Sequence, residues 1–137
     1  MADNEEIITE SSAPGKIILF GEHSVVYGRP AIAAPVTQVR TKATVKNRQE
    51  PGVRLLAPDI DQDIFLSDAD PQDPFARAVM IFMERSGLNP MPPLTITVSS
   101  TSPMASGLGS GAAMAVSVIK ALALHFENEE LARRDQV

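Results

Sequence analysis

"PLTITVSSTSPMASGLGSGAAMAV", Pro93 to Val116, sets the fold. Leu94, Ile96 and Val98 fall on one side of the first eight residues, the period of a half-buried strand. Glycines then stand at alternate positions, Gly107, Gly109 and Gly111. An apolar run follows that reads as a helix opening near Ser110 to Ala112 and ending about Phe126. Strand, glycine loop and helix in that order put a helix N-terminus at the end of the loop. Such an end carries unpaired N–H groups and a partial positive charge. Glycines have no Cβ, so the backbone can approach an anion closely. Ser106 and Ser110 add hydroxyls. Two readings of these residues stand side by side. The loop is a phosphate cradle, or its small residues, with Ala112, Ala113 and Ala115, let the helix pack closely on a sheet. No Gly-Lys-Ser/Thr follows, so this is not a Walker A loop, and the glycine spacing is not that of the dinucleotide fingerprint.

Working outward, "KIILFG" (Lys16–Gly21) is a continuous apolar run, expected as a strand buried on both faces. Residues 1–10 read as a polar lead-in to it. "PAIAAPV" (Pro30–Val36) carries prolines and is expected as a short edge or irregular strand. From Val39 to Lys46 the pattern alternates. Val39, Thr41, Ala43 and Val45 share one face; Arg40, Lys42, Thr44 and Lys46 share the other, a solvated basic stripe. "GVRLLA" and "DIFLS" are expected as two short strands flanking a turn at Pro58-Asp59. "DPFARAVMIFMERSG" predicts a helix. Asp73 caps it, Pro74 opens it, Phe75, Val79, Phe82 and Met83 form its apolar face, and Gly87 ends it. Asn128 is expected to cap one further helix, with Glu129 and Glu130 in its first turn.

The bulk numbers bound the function. A chain of 137 residues with 44% hydrophobic side chains suits one domain with a real core. Its net charge of −5 argues against a nucleic-acid partner held by phosphate neutralisation. There is no cysteine, hence no disulfide, thiolate metal site or cysteine nucleophile. The acidic start, Met-Ala-Asp-Asn-Glu-Glu, is not a signal peptide. The apolar stretch Gly111 to Leu124 is broken by Ser117 and Lys120 and is too short for a bilayer. A soluble cytoplasmic protein with no membrane partner is expected. "NEELARRDQV" opens a helix and stops without glycine, proline or an apolar close, so residues 1–137 read as a domain of a longer chain.

A second cluster is Lys16, at the head of an apolar strand, with Glu22 and His23 just after it. Lysine, glutamate and histidine together can bind an acidic substrate and organise proton transfer. Taken singly, a histidine of this kind is more often structural and such a lysine is solvated.

The two segments together carry a resemblance. "SAPGKIILFGEHSVVYGRPAIAAPV" (Ser12–Val36) closely resembles the first motif of the GHMP small-molecule kinases. "SPMASGLGSGAAMAV" (Ser102–Val116) resembles their second, Pro-x-x-x-Gly-Leu-Gly-Ser-Ser-x-Ala, in matching order and separation. Within that superfamily "GEHSVVYG" looks like the mevalonate kinases. Galactokinases have an acidic residue soon after the histidine, where Ser24-Val25 stand here. The resemblance spans residues 11–126.

It implies an α+β fold: the family's N-terminal domain, a mixed sheet backed by helices with a left-handed β-α-β crossover. It implies transfer of the γ-phosphoryl of ATP, with Mg2+, to the primary hydroxyl of mevalonate, in a cytoplasmic pathway to isoprenoids. Pro103, Met104, Ala105, Ser106, Gly107, Leu108, Gly109, Ser110 and Gly111 would wrap the ATP phosphates. Lys16 would serve the transferred phosphate and the acceptor hydroxyl as the catalytic and substrate-binding lysine; Glu22 and His23 would hold the mevalonate side. Ser110 is the candidate metal ligand. The family has a second serine where Gly111 stands, and that serine is the one associated with magnesium. The family's catalytic Asp, magnesium-binding Glu and third glycine motif lie further along than Val137. The expected partners are therefore mevalonate, the C-terminal part of the same protein, and a second copy in a homodimer. These 137 residues alone are expected to give negligible turnover. The alternatives are a GHMP kinase for another small alcohol or sugar, and a non-catalytic nucleotide sensor on the same fold.

Overall fold

The computed structural model describes residues 8–20, 28, 30, 32–88, 90–101 and 110–126, with the side chains of 16–20, 36–39 and 110 outside the description. Five strands, β1 (Ile8–Phe20), β2 (Ile32–Asn47), β3 (Val53–Ala57), β4 (Gln62–Phe65) and β5 (Leu94–Ser100), form a mixed sheet in the order β1-β2-β5-β3-β4. β3 and β5 run parallel; the other pairs are antiparallel. Helices α1 (Pro74–Ser86) and α2 (Ser110–His125) complete the described architecture.

The alternating pattern determines which sheet face is buried. Thr41, Ala43 and Val45 of β2, Val53, Leu55 and Ala57 of β3, and Leu94, Ile96 and Val98 of β5 all point inward. They meet Phe75, Val79 and Phe82 of α1 and Met114, Val118, Ala121 and Leu122 of α2. The opposite face is the polar one. There Lys42 pairs with Glu10 at 3.3 Å and Arg54 with Asp63 at 2.7 Å. Both pairs are exposed, and pairs of this kind stabilise little.

α1 forms as its sequence dictates. Asp73 accepts the N–H of Ala76 at 2.9 Å, Pro74 occupies the first turn, and Gly87 closes the helix at φ 74°, a left-handed conformation that glycine adopts freely. Met83 is only half-buried, and Ala76 and Ala78 join the core instead.

Three strand expectations change. Residues 8–10 are not lead-in: β1 starts at Ile8, because Ile8 to Pro14 pair with Arg40 to Lys46. The runs 30–36 and 39–46 are one strand, not two. β2 stays continuous while its pairing with β1 slips between Pro14 and Gly15, where the partner jumps from Arg40 to Val36. Such an irregularity lets a long strand bend without ending. Among the described pairings, β5 reaches only 41–47, so the proline-bearing half of β2 is bonded to β1 alone, as an edge position requires. Finally, β4 ends at Phe65, and Leu66–Asp68 form a single 3-10 turn. The helix expected from Asn128 and the side chains of "KIILF" lie outside the described residues.

Candidate functional site

The position of α2 builds the site. The helix packs on β1 and β2 more than on β5, the strand that precedes it in the chain. Its C-terminal end is held by His125. Nδ1 of the ring lies 2.9 Å from Thr9 Oγ1 on β1, and Nε2 lies 2.8 Å from Asn47 Oδ1 at the end of β2. α2 therefore runs antiparallel to β1. Its 16 residues cover roughly 22 Å at about 1.5 Å per residue. Along a strand rising about 3.3 Å per residue that length is about seven residues. With its C-terminal end held beside Thr9, a helix lying along β1 points its N-terminal end in the direction of Lys16.

The other wall is the end of β5. Ser100 pairs with Thr41, which pairs in turn with Ala13, three residues before Lys16. The Ser100 N–H donates to Asp59 Oδ2 at 2.8 Å, the Thr101 N–H to the Arg40 carbonyl at 3.0 Å, and the Arg40 N–H to Thr101 Oγ1 at 3.0 Å. Arg40 Nε also donates to Ser12 Oγ at 3.1 Å. This belt crosses from β1 to the turn after β3, at the point where the chain leaves the sheet for α2. Sequence reasoning missed Asp59, Arg40 and Thr101 as members. Thr101 borders the glycine loop, but nothing local marks the other two.

Gly111 stands in the exposed first turn of α2, and a Cβ placed there meets nothing within 4 Å. The space beside Gly111 is open among the described residues. It also shows that packing does not demand the glycine. Gly111→Ala is therefore expected to raise stability by about 0.5–1 kcal/mol, the usual cost of a helical glycine. A urea titration against the parent chain measures it, and a loss of stability would contradict it.

Of the residues singled out in the sequence, Glu22, His23 and Pro103 to Gly109 lie outside the described residues. Lys16 is placed by its backbone on β1 and Ser110 as the first residue of α2. No group of three or more His, Asp or Glu that could hold a metal occurs among the described residues. A groove of about 530 Å3 on the polar sheet face is lined by Lys46, Arg48, Arg54, Thr95 and Thr97 among others. Arg48 is already paired with Glu50 and Arg54 with Asp63, and the groove faces away from α2.

His125 also carries a pH dependence. Asn47 Oδ1 can only accept, so Nε2 holds the proton, and a neutral ring accepts the Thr9 hydroxyl at Nδ1. Burial pushes the imidazole pKa below its ordinary 6.5. The unfolded chain then binds this proton more readily than the folded one. The contribution is fully present above about pH 6.5 and is lost as pH falls towards the lowered folded value. Melting temperature is expected to drop between pH 7.5 and 5, and less so in His125→Gln. Equal drops in both would rule His125 out as the cause.

The chain is similar to known proteins. Residues 74–136 match the family described as GHMP kinases N terminal domain. The chain is 37% identical over 142 residues to a mevalonate kinase of Thermococcus onnurineus, covering 90% of this chain and 42% of that protein. It is 40% identical over 121 residues to a mevalonate kinase of Archaeoglobus fulgidus, covering 87% and 39%. The crystal structure of the Methanococcus jannaschii mevalonate kinase superposes with a TM-score of 0.73 at 27% identity, covering 95% of this chain and 44% of that one. The chain thus spans about two-fifths of the length of the relatives it matches.

Proposed function

With this chain a homologue of the mevalonate kinases that carries the GHMP kinase N-terminal domain, we propose that it forms the nucleotide-phosphate side of an ATP-dependent kinase acting on mevalonate. One observation supports the reading: α2 packs on β1 with its C-terminal end fastened beside Thr9, which directs its N-terminus towards the Lys16 end of the strand. A positive helix end directed towards a lysine suits a group whose negative charge is being transferred.

In this reading the N–H groups of Pro103–Gly111, proline apart, take the phosphate oxygens. Lys16 holds the transferred group and the acceptor hydroxyl together, which supplies orientation as well as charge. Glu22 and His23 hold the acceptor side. Mg2+, bound with the nucleotide, neutralises phosphate charge. Of the two hydroxyls in this segment, Ser106 and Ser110, Ser110 is the one that would serve it, and Gly111 offers none. The family's acidic catalytic residues fall to sequence beyond this segment, so the activity is that of a longer protein with this N-terminal domain, and the 137 residues alone turn over negligibly. We assign the β3–α1–β5 connection the family's left-handed sense. The exposed Val116 and Leu124 on α2 suit contact with the rest of such a protein or with a second copy. No described helix is long and apolar enough to cross a membrane; by its likeness to the mevalonate kinases we assign the protein to the cytoplasm.

ADP release by the whole protein, measured with mevalonate and with a panel of small alcohols and sugars, tests the reading. Mevalonate-dependent release is expected. Turnover of a different acceptor would move the assignment to another GHMP kinase, and ATP binding without turnover of any acceptor would make the protein a sensor.

A further inference from the structure

The polar face of the sheet carries positive charge that the chain as a whole does not. Between Arg40 and Arg54 stand five cationic residues, Arg40, Lys42, Lys46, Arg48 and Arg54, against one acid, Glu50, within a chain of net charge −5. Lys46, Arg48 and Arg54 line the groove of about 530 Å3, together with Leu56, Thr95 and Thr97. Small-molecule sites have volumes of this order.

The two arginines are not held alike. Arg54 is committed: its Nε and Nη2 donate to the two carboxylate oxygens of Asp63 at 2.9 and 2.7 Å, a bidentate pair. Arg48 Nε reaches the Glu50 carbonyl and Nη2 the Glu50 carboxylate, both at 3.4 Å, longer than a well-formed hydrogen bond. The Glu50 side chain is 86% exposed, the Arg48 side chain only 13%. A guanidinium is a fork of several N–H donors. Among the described residues, Glu50 is the acceptor that this fork meets, and it meets it loosely.

Arg48 is nonetheless fixed in place. Its backbone N–H donates to the Pro93 carbonyl at 3.1 Å, one position past the β2–β5 pairing. Its guanidinium carbon lies 5.1 Å from the centre of the Phe65 ring, a cation–π contact. That ring is seated against Gly52, where φ is 105° and a Cβ would stand 3.0 Å from it. The Gly52 carbonyl in turn accepts the Leu94 N–H at 3.3 Å. The arginine is thus positioned by backbone and ring, while its charge is met by a displaceable carboxylate.

We propose that the groove binds a carboxylate-bearing ligand, with Arg48 taking one ligand carboxylate in place of Glu50. Glu50 shows which group this arginine accepts. A pair with so exposed a partner contributes little, so displacing it costs little. A guanidinium already held in position matches a carboxylate with two parallel bonds. Lys46 lends the groove further positive charge, and Leu56 offers apolar surface to the body of the ligand. The carboxylate belongs either to a small acid or to an acidic side chain of a peptide. The site lies on the sheet face away from α2 and does not depend on the kinase reading.

Calorimetric titration of the 137-residue chain at low salt, with tricarballylate as a small tricarboxylate and with hexaglutamate as an acidic peptide, tests this. The probe that binds more tightly identifies the source. Its affinity is expected to fall about tenfold in Arg48→Gln, which removes a charged hydrogen-bond donor. It is expected to rise about two- to fivefold in Glu50→Gln, which removes the competing carboxylate. A purely structural Arg48–Glu50 pair would not give that rise. Arg48→Lys keeps the charge without the fork and is expected to recover only part of the affinity. Arg77→Gln removes the same charge from α1, which packs on the opposite sheet face, and is expected to stay within about twofold of the parent. If Arg48→Gln does not fold, Glu50→Gln and Arg48→Lys decide. The proposal is overturned if neither probe binds, if binding is indifferent to Arg48 and Glu50, or if Arg77→Gln weakens it as much as Arg48→Gln.

Discussion

Lys16→Met is expected to lower kcat of the whole protein by about 10²–10³-fold while its melting temperature stays close to the parent's. The estimate follows from what one pre-positioned charge or donor contributes to a transition state, about 2.7–4 kcal/mol. Methionine matches the lysine stem in length and keeps a strand-compatible apolar body, so β1 keeps its pairing with Pro35 on β2. Only the charge is removed. In the proposed reading that charge acts on the phosphoryl group in transfer, so kcat should fall more than ATP affinity does. Lys16→Arg is expected to recover only part of the rate. The planar guanidinium keeps the charge but not the compact point of an ammonium. A kcat within about twofold of the parent in Lys16→Met would remove Lys16 from the reaction.

The largest stability effect is expected at Phe82. It is 1% exposed, and its ring stacks on Phe126 at 6.1 Å with 24° between planes. Phe82 belongs to α1, and Phe126 follows the last turn of α2 beside His125, whose ring meets Phe126 edge-on at 5.2 Å. This aromatic contact joins the two helices at the end of α2 farthest from Lys16. Phe82→Ala removes most of a buried ring, at a cost of about 3–5 kcal/mol. That is a large share of the roughly 5–15 kcal/mol a domain has. Ile81, its neighbour, is 39% exposed and is the control. Ile81→Ala should shift the urea midpoint only slightly, by the equivalent of about 0.5 kcal/mol. A Phe82→Ala variant as stable as Ile81→Ala would mean that the two helices do not depend on this contact.

Much of the fold was legible because the relevant signals are local. Asp73, Pro74 and Gly87 bound α1 as capping chemistry requires, since a cap uses only neighbouring residues. The alternation in 94–98 and 41–45 placed the buried faces correctly, since the strand period is a backbone property. The limits of β1 and β2 were not legible. Ile8 to Ser12 looks polar and Pro35 looks like a break. Both become strand because partners distant in sequence satisfy their backbones. The belt at the end of β5 was hidden for the same reason. Asp59 and Ser100 are 41 residues apart, Arg40 and Thr101 61 apart, and no spacing rule relates them.

Legible from the residues alone were the kinds of element, a helix start after the glycine run, and two motifs that resemble those of the GHMP kinases. These depend on short windows of side chains whose periodicity and backbone freedom act locally. The strand order β1-β2-β5-β3-β4, the slip between Pro14 and Gly15, and the seat of α2 on β1 and β2 emerge only in the folded chain. Register and helix seating are set by which distant surfaces bury one another best and by which backbone groups still need a partner. Those quantities exist only when the whole chain is folded together.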